Sequence, residues 1–264
     1  MFADHKSRRY FSATIIGAVL AASVSAPVLA LSQSEPATQV GCGPFTVTAL
    51  DPPTPRTNGW AIATFKHINA AVKTQPYRVL FLGDSITERW DLPRWDAKPV
   101  WDTKIAPRGV LNAGVAGDRT EHLLWRLDHG NLGGPPPKVA IVLIGTNDLA
   151  HGRPPELAAE GVRAVLIRLR QKLPDTRILL LGLWPRGATK DDPLRQEVGT
   201  VNNLIKTCAD GSSIVYADIG GVLLDKKGVL STKLSPDLLH FTGAGYKRLA
   251  PKLDPLIDRL LGAP

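Results

Sequence analysis

Asp237 and His240 stand three residues apart in Pro236-Asp237-Leu238-Leu239-His240. On one helical turn or in a tight loop, that spacing sets a carboxylate beside an imidazole. The carboxylate can then hold one ring nitrogen while the other takes a proton from a hydroxyl. A serine hydroxyl needs such a base, because near neutral pH almost none of it is alkoxide. The candidate hydroxyl is Ser85, in Gly83-Asp84-Ser85-Ile86-Thr87, a stretch that reads as a tight strand-to-helix turn. Serine at such a turn also has a plainer use, as the cap of the following helix. The stretch is not the G-x-S-x-G elbow of α/β-hydrolases, so on these residues alone both readings stand.

Two further loops carry groups that can stabilise negative charge. Asn112-Ala113-Gly114-Val115-Ala116-Gly117-Asp118 has glycines three apart just before a helical segment, where a backbone N–H can approach a phosphate or an oxyanion. A turn that needs glycine for its conformation fits equally well. The loop lacks the G-x-G-x-x-G spacing and the P-loop lysine of nucleotide sites. In Gly145-Thr146-Asn147-Asp148, the amide of Asn147 ends a strongly apolar run. Desolvating it requires a fixed hydrogen-bond partner, and it can serve as an oxyanion donor, while Asp148 is expected to cap the next turn. His5, His67, His122, His129 and His151 are scattered without comparably placed acids. They read as surface or cap residues, with no metal site implied.

The elements that must position these groups are legible as apolar runs alternating with helical periodicity. Strands are expected at Arg78–Gly83, Val110–Ala113, Val139–Gly145, Arg177–Leu183 and Ile214–Ala217. Runs that are apolar on both faces belong in a parallel sheet covered on both sides. Helices are expected at 61–73, 119–128, 156–172, 194–209 and 243–261; the third repeats Leu157, Val162, Val165, Leu166 and Leu169 at helical spacing and stops before Pro174. The outcome is a single α/β domain, a three-layer α/β/α sandwich on a parallel sheet of five strands. Ligands of such sheets bind beyond the carboxyl ends of the strands. The loops carrying Ser85, Gly117 and Asn147 all follow strands.

Together these motifs resemble the GDSL/SGNH hydrolases. The four blocks of that family are matched in order by Gly83-Asp84-Ser85, by Gly117, by Gly145-Thr146-Asn147-Asp148 and by Asp237-Leu238-Leu239-His240. Leu111–Thr120, Leu124-Trp125-Arg126-Leu127, Gly182–Gly187 and His240–Tyr246 look most like the catalytic alpha subunits of platelet-activating factor acetylhydrolase. The likeness spans roughly residues 60–261. It implies a flavodoxin-like sandwich working without a cofactor. Ser85 is then the nucleophile, His240 its base and Asp237 the orienting acid, with Ser85 N–H, Gly117 N–H and the Asn147 amide as oxyanion hole. Ile86 and Leu239, beside nucleophile and base, are expected either to line a substrate pocket that closes against long acyl chains or simply to pack the core.

Residues 1–30 read as an export signal: a basic start at Lys6-Ser7-Arg8-Arg9, an apolar stretch through Leu20, and small residues up to Ala30. The paired arginines fit the twin-arginine route, and a plain secretory signal fits almost as well. Residues 31–58, rich in Pro, Thr, Gln and Ser, are expected to be an extended lead on the domain surface, ahead of a hydrolase domain at 59–264. Cys42 and Cys208 have no metal or redox spacing and can form one bridge if they meet in space. The net charge of +8 is dispersed and lacks the signature of a nucleic-acid binder. No segment after the signal approaches a membrane span. The expected partner is an ester of a small molecule or glycan, in the periplasm or outside the cell. The expected reaction is hydrolysis of short acyl groups, acetyl above all, with acetylated carbohydrates as the expected substrate class, against a broader aryl or lysophospholipid ester hydrolase or an acyltransferase with the same triad. Oligomeric state is not encoded in any feature of the sequence.

Overall fold

In a computed structural model, which describes residues 40–45 and 49–262, the five apolar runs pair as one parallel sheet. They are β1 (Val79–Gly83), β2 (Val110–Gly114), β3 (Val139–Leu143), β4 (Arg177–Leu181) and β5 (Ile214–Ala217), in the spatial order β2-β1-β3-β4-β5. β1 and β3 are buried along their whole length, as continuous apolar strands at the middle of a covered sheet must be. The expected strands are all present. Two end earlier than expected, β3 at Leu143 and β4 at Leu181, with Ile144 still buried in the core, and β1 begins one residue later, at Val79.

The longer helices are α1 (Gly59–Thr74), α4 (Thr120–Asp128), α6 (Pro155–Lys172), α7 (Pro193–Ile205) and α8 (Gly243–Leu261). α4, α6 and α7 pack side by side on one face, α8 packs on β3 and β4 from the other, and α1 lies along the edge strand β2. Periodicity did not anticipate the short helices α2 (Ser85–Glu88), α3 (Lys98–Val100) and α5 (Thr146–Ala150), nor the π-helical turn Trp101–Ile105. They contain too few residues to repeat a period.

The strand order determines where a site can form. From β1 the chain moves outward to β2, then returns past β1 to β3, so the connections leave β1 and β3 in opposite directions. That reversal opens a crevice at their carboxyl ends. Ser85 follows β1 and Asn147 follows β3, so both stand at its rim. Below, Phe81, Trp90, Trp101, Trp184, Phe241 and Tyr246 form a buried aromatic cluster. Tyr246 reaches out of it to donate its hydroxyl to the Ile86 carbonyl at 2.7 Å, which ties α8 to the turn carrying Ser85.

The export signal read in residues 1–30, with His5, lies outside the described residues. Of the lead, residues 51–55 are exposed as expected, but Val40 and Cys42 are buried in the core, which corrects the reading of the lead as wholly superficial. Cys42 is bonded to Cys208 across 166 positions of sequence. The neighbouring backbone is held too, Cys42 O by Arg163 Nε at 2.7 Å and Phe45 N–H by Glu160. Closing so long a loop restricts the unfolded chain. Replacing both cysteines by serine is therefore expected to lower the unfolding free energy by about 2–4 kcal/mol, read from urea denaturation. An unchanged midpoint would show that the bond contributes nothing. Among the described residues, no helix is long and apolar enough to cross a membrane.

Candidate active site

Gly83 ends β1 with Thr87 Oγ1 and the Leu143 carbonyl so near that a Cβ would lie 2.2 and 2.6 Å from them. The bare backbone lets α2 start at once. Asp84, rather than Ser85, caps that helix, its carboxylate accepting the Ile86 N–H at 2.9 Å. The capping alternative for Ser85 is thus answered by its neighbour, and the Ser85 hydroxyl is left for another partner. That partner is His240, whose Nε2 lies 2.8 Å from Ser85 Oγ across 155 positions of sequence.

His240 lies in a tight loop, not on a helix. Asp237 Oδ1 accepts the backbone N–H groups of Leu239 and His240, at 3.1 and 2.7 Å, and Oδ2 lies 2.6 Å from His240 Nδ1. A carboxylate only accepts, so Nδ1 carries the ring proton and Nε2 offers its lone pair to the Ser85 O–H. The loop is strained: Leu238 adopts φ +57°, in the left-handed region that costs a branched residue on the order of 1 kcal/mol. Its carbonyl accepts the Gly187 N–H at 2.9 Å, so the segment after β4 braces the turn. Arg186, also buried, anchors that segment to Thr146 O at 2.9 Å.

Burial pushes the His240 imidazole below its ordinary value, and the charges of Arg89 and Arg186 add to this against the hydrogen bond that His240 donates to Asp237. Burial acts on Asp237 in the opposite sense, but its hydrogen bonds from His240 prevail and hold the carboxyl below its usual value. Near neutral pH the pair is therefore a neutral imidazole and a carboxylate. Asp84 differs: burial, only partly opposed by the Ile86 N–H, raises it to about 7.

Gly117 and Asn147 are joined through one residue. Gly117 has φ +72°, open to glycine, and the next carbonyl, Asp118 O, accepts from Asn147 Nδ2 at 2.9 Å. This is the fixed partner expected for Asn147, and an amide nitrogen carries a second hydrogen. Asp148 does not cap its own turn. Its buried carboxylate accepts the Thr120 N–H and hydroxyl at the start of α4 and pairs with Arg153. Ile86 is 2 % exposed and belongs to the core. That favours the packing alternative for it, and Leu239, half-buried, also leans on the core. Of the other described histidines, His122 accepts the Arg119 N–H as a cap at 3.0 Å but is buried, His151 and His129 bond backbone carbonyls one turn back, and His67 is exposed.

Two residues that hold this framework escaped the reading of catalytic motifs. Arg126, buried on α4, donates to Asp118 Oδ2 at 2.7 Å, to Ala113 O at 3.1 Å and to Gly83 O at 3.2 Å, and also bonds Asn131. It therefore ties the ends of β1 and β2 to the Gly117 loop. The signal was an arginine within Leu123-Leu124-Trp125-Arg126-Leu127, since a charge on an apolar helical face must be paired. Asp118 is its counterpart.

Residues 81–248 match the GDSL-like lipase/acylhydrolase family. The chain is 36% identical over 184 residues to platelet-activating factor acetylhydrolase IB subunit alpha2 from Homo sapiens, covering 69% of this chain and 77% of that protein. It is 33% identical over 192 residues to subunit alpha1 from Bos taurus, covering 72% and 78%. Among solved structures, a GDSL-like lipase from Bacteroides thetaiotaomicron superposes with TM-score 0.60 at 20% identity, over 75% of this chain and 97% of that one. An acetylxylan esterase from Geobacillus stearothermophilus does so with TM-score 0.55 at 18% identity, over 70% and 95%. These structural likenesses speak for the α/β fold.

Proposed function

The chain belongs to the GDSL-like lipase/acylhydrolase family and is a carboxylic-ester hydrolase, and from that premise we propose that it removes short acyl groups, acetyl above all, through a covalent intermediate on Ser85. The observation that carries the mechanism is the unbroken chain Ser85 Oγ, His240 Nε2, His240 Nδ1, Asp237 Oδ2, with spacings of 2.8 and 2.6 Å across its two hydrogen bonds. Ser85 Oγ attacks the ester carbonyl as its proton passes to His240 Nε2. The oxyanion is met by the N–H groups of Ser85 and Gly117 and by Asn147 Nδ2. As the C–O bond to the alcohol breaks, His240 returns the proton to the leaving oxygen. Water then repeats the sequence on the acyl-serine, releasing the carboxylic acid and restoring Ser85. Asp237 holds the imidazole in the required tautomer and stabilises the imidazolium.

The acetyl preference draws support from the alpha subunits that this chain resembles, which are named as acetylhydrolases. Acetylated carbohydrate is the substrate class that suits export from the cytoplasm, and the Cys42–Cys208 bond supports an oxidising compartment. A second reading is hydrolysis of aryl or lysophospholipid esters with larger apolar groups. The cavity of about 490 Å³ lined by Pro55, Ile62, Phe65, Val115 and Trp125 does not argue for it, since neither Ser85 nor His240 lines that space. Hydrolysis of p-nitrophenyl acetate, butyrate and octanoate separates the two. A rate that drops steeply beyond acetate supports the short-acyl reading, and a flat or rising profile replaces it with the second.

A base must be neutral to accept a proton, so protonation of His240 sets the acid limb of the pH profile. Because burial lowers its pKa, the acid limb of kcat/KM for p-nitrophenyl acetate is expected at lower pH than an ordinary histidine would place it. Arg89→Gln removes one of the charges that depress it. The acid limb of this variant is expected to move to higher pH; a limb that stays put or moves lower shows that Arg89 does not act on His240.

A further inference from the structure

The peptide unit joining Ala116 to Gly117 carries the Ala116 carbonyl at one end and the Gly117 N–H at the other. Because the unit is planar and trans, fixing the direction of the C=O fixes that of the N–H. This loop needs fixing, since glycine stands at 114 and 117 and Gly117 adopts φ +72°. Arg126 of the following helix holds the loop at Asp118, but the group that holds the Ala116 carbonyl comes from neither the sheet nor that helix. Arg56, in the N-terminal lead, donates from Nη1 to Ala116 O at 3.3 Å.

The guanidinium is built into place. Its Nε donates to Asn58 Oδ1 at 3.2 Å, and its Cζ lies 5.4 Å from the Trp60 ring centre. Nη1 stands 3.7 Å from Asp118 Oδ1, a fully buried oxygen that has no hydrogen bond, while Arg126 holds the other oxygen of that carboxylate. A Cβ on Gly117 would lie 2.8 Å from Nη1, so the bare glycine is what admits the arginine. The lead is itself tied down on both sides of Arg56, by an Arg153–Asp51 ion pair and by the Thr54 N–H on Glu121 O at 3.3 Å on one side, and by the start of α1 on the other.

We propose that Arg56 is a positioning residue of the oxyanion hole: by holding the Ala116 carbonyl, it aims the Gly117 N–H at the reacting oxygen and polarises it. A carbonyl that accepts from a cation draws electron density from its own N–H, which then donates more strongly. The effect is greatest where negative charge is greatest, in the tetrahedral intermediate, so the contribution falls on kcat. This rests on the Ser85 reading given above and adds to it a residue that touches no substrate atom.

The test is Arg56→Ala in the full chain, with p-nitrophenyl acetate as substrate and Arg56→Lys and Ser85→Ala beside it. Loss of a whole oxyanion donor costs ~10²–10³ in kcat, and loss of its aim is expected to cost about 10- to 100-fold, with KM within about twofold of wild type. Arg56→Lys keeps a charge but lacks the planar fork, and is expected to fall between. Millimolar guanidinium chloride should restore part of the rate to Arg56→Ala and none to Ser85→Ala. With Asn147→Ala the loss should be non-additive, because both changes act on one oxyanion hole. An unchanged kcat in Arg56→Ala overturns the proposal. So does a loss that guanidinium leaves untouched and that adds independently to Asn147→Ala, which is the behaviour of a structural residue. Full activity in Ser85→Ala is a different failure, which removes the catalytic reading itself and leaves the Arg56 geometry without a reaction to serve.

Discussion

Ser85→Ala is expected to lower kcat for p-nitrophenyl acetate by about 10⁴-fold or more, with the folded structure intact. The magnitude follows from the proposed mechanism: without Oγ no acyl-enzyme can form, and the remaining groups can only assist a water molecule. Enzymes of this logic stripped of the nucleophile keep a residual ~10³–10⁴ over the uncatalysed rate, from their oxyanion donors and binding alone. Folding should be indifferent, because the Ser85 side chain caps no helix, that work being done by Asp84. Its hydroxyl meets His240 Nε2 at the rim of the crevice, where His240 is only partly buried and water can take its place. The measurement is steady-state hydrolysis together with a stopped-flow trace at high enzyme concentration. Wild type should show a burst of nitrophenol if deacylation is the slower step, and the variant none. Activity equal to wild type would end the proposal that Ser85 is the nucleophile.

Asp237→Asn should cost about 10³-fold in kcat while leaving KM for small esters nearly unchanged. An asparagine keeps the size of the side chain, and its carbonyl oxygen can still accept one of the backbone N–H groups that Oδ1 now holds. What it cannot do reliably is accept from His240 Nδ1, and with the amide nitrogen turned toward the ring the tautomer reverses. Nε2 then carries the hydrogen and can no longer act as a base. For a buried orienting acid this error costs ~10⁴. Here the side chain of Asp237 is 53% exposed, so water can accept the Nδ1 proton in part and the expected loss is smaller. Asp237→Ala provides a control, since it removes the wrong donor as well as the right acceptor; if it is more active than Asp237→Asn, the tautomer explanation gains. A variant Asp237→Asn with wild-type kcat would show that another group orients His240.

The contrast between Asp237 and Arg126 explains how far the sequence could be read. Asp237 and His240 are three positions apart, and their geometry is local, so the loop that joins them is visible as a pattern. Arg126 works on Gly83, Ala113 and Asp118, which reach it only through the packing of α4 on the sheet. Its lone charge among leucines announces a buried pair without naming the partner.

The order of apolar runs and the residues immediately after them were enough to determine a parallel sheet and to gather the candidate groups along one edge. The physical reason is that parallel strands all end on the same side, so any residue following a strand arrives there whatever the strand order. Which of these groups meet was decided by the tertiary structure alone. The order β2-β1-β3-β4-β5 put the reversal between β1 and β3 and so placed Ser85 and Asn147 on one crevice. Cap competition was settled when Asp84 took the Ile86 N–H, and Ile86 went to the core, its carbonyl held by the Tyr246 hydroxyl of α8. The pairing of Cys42 with Cys208 and the reach of Arg56 to Ala116 span 166 and 60 positions. No periodicity or spacing rule operates over such distances, because those contacts exist only once helices and sheet have packed and burial has determined which polar groups must find each other.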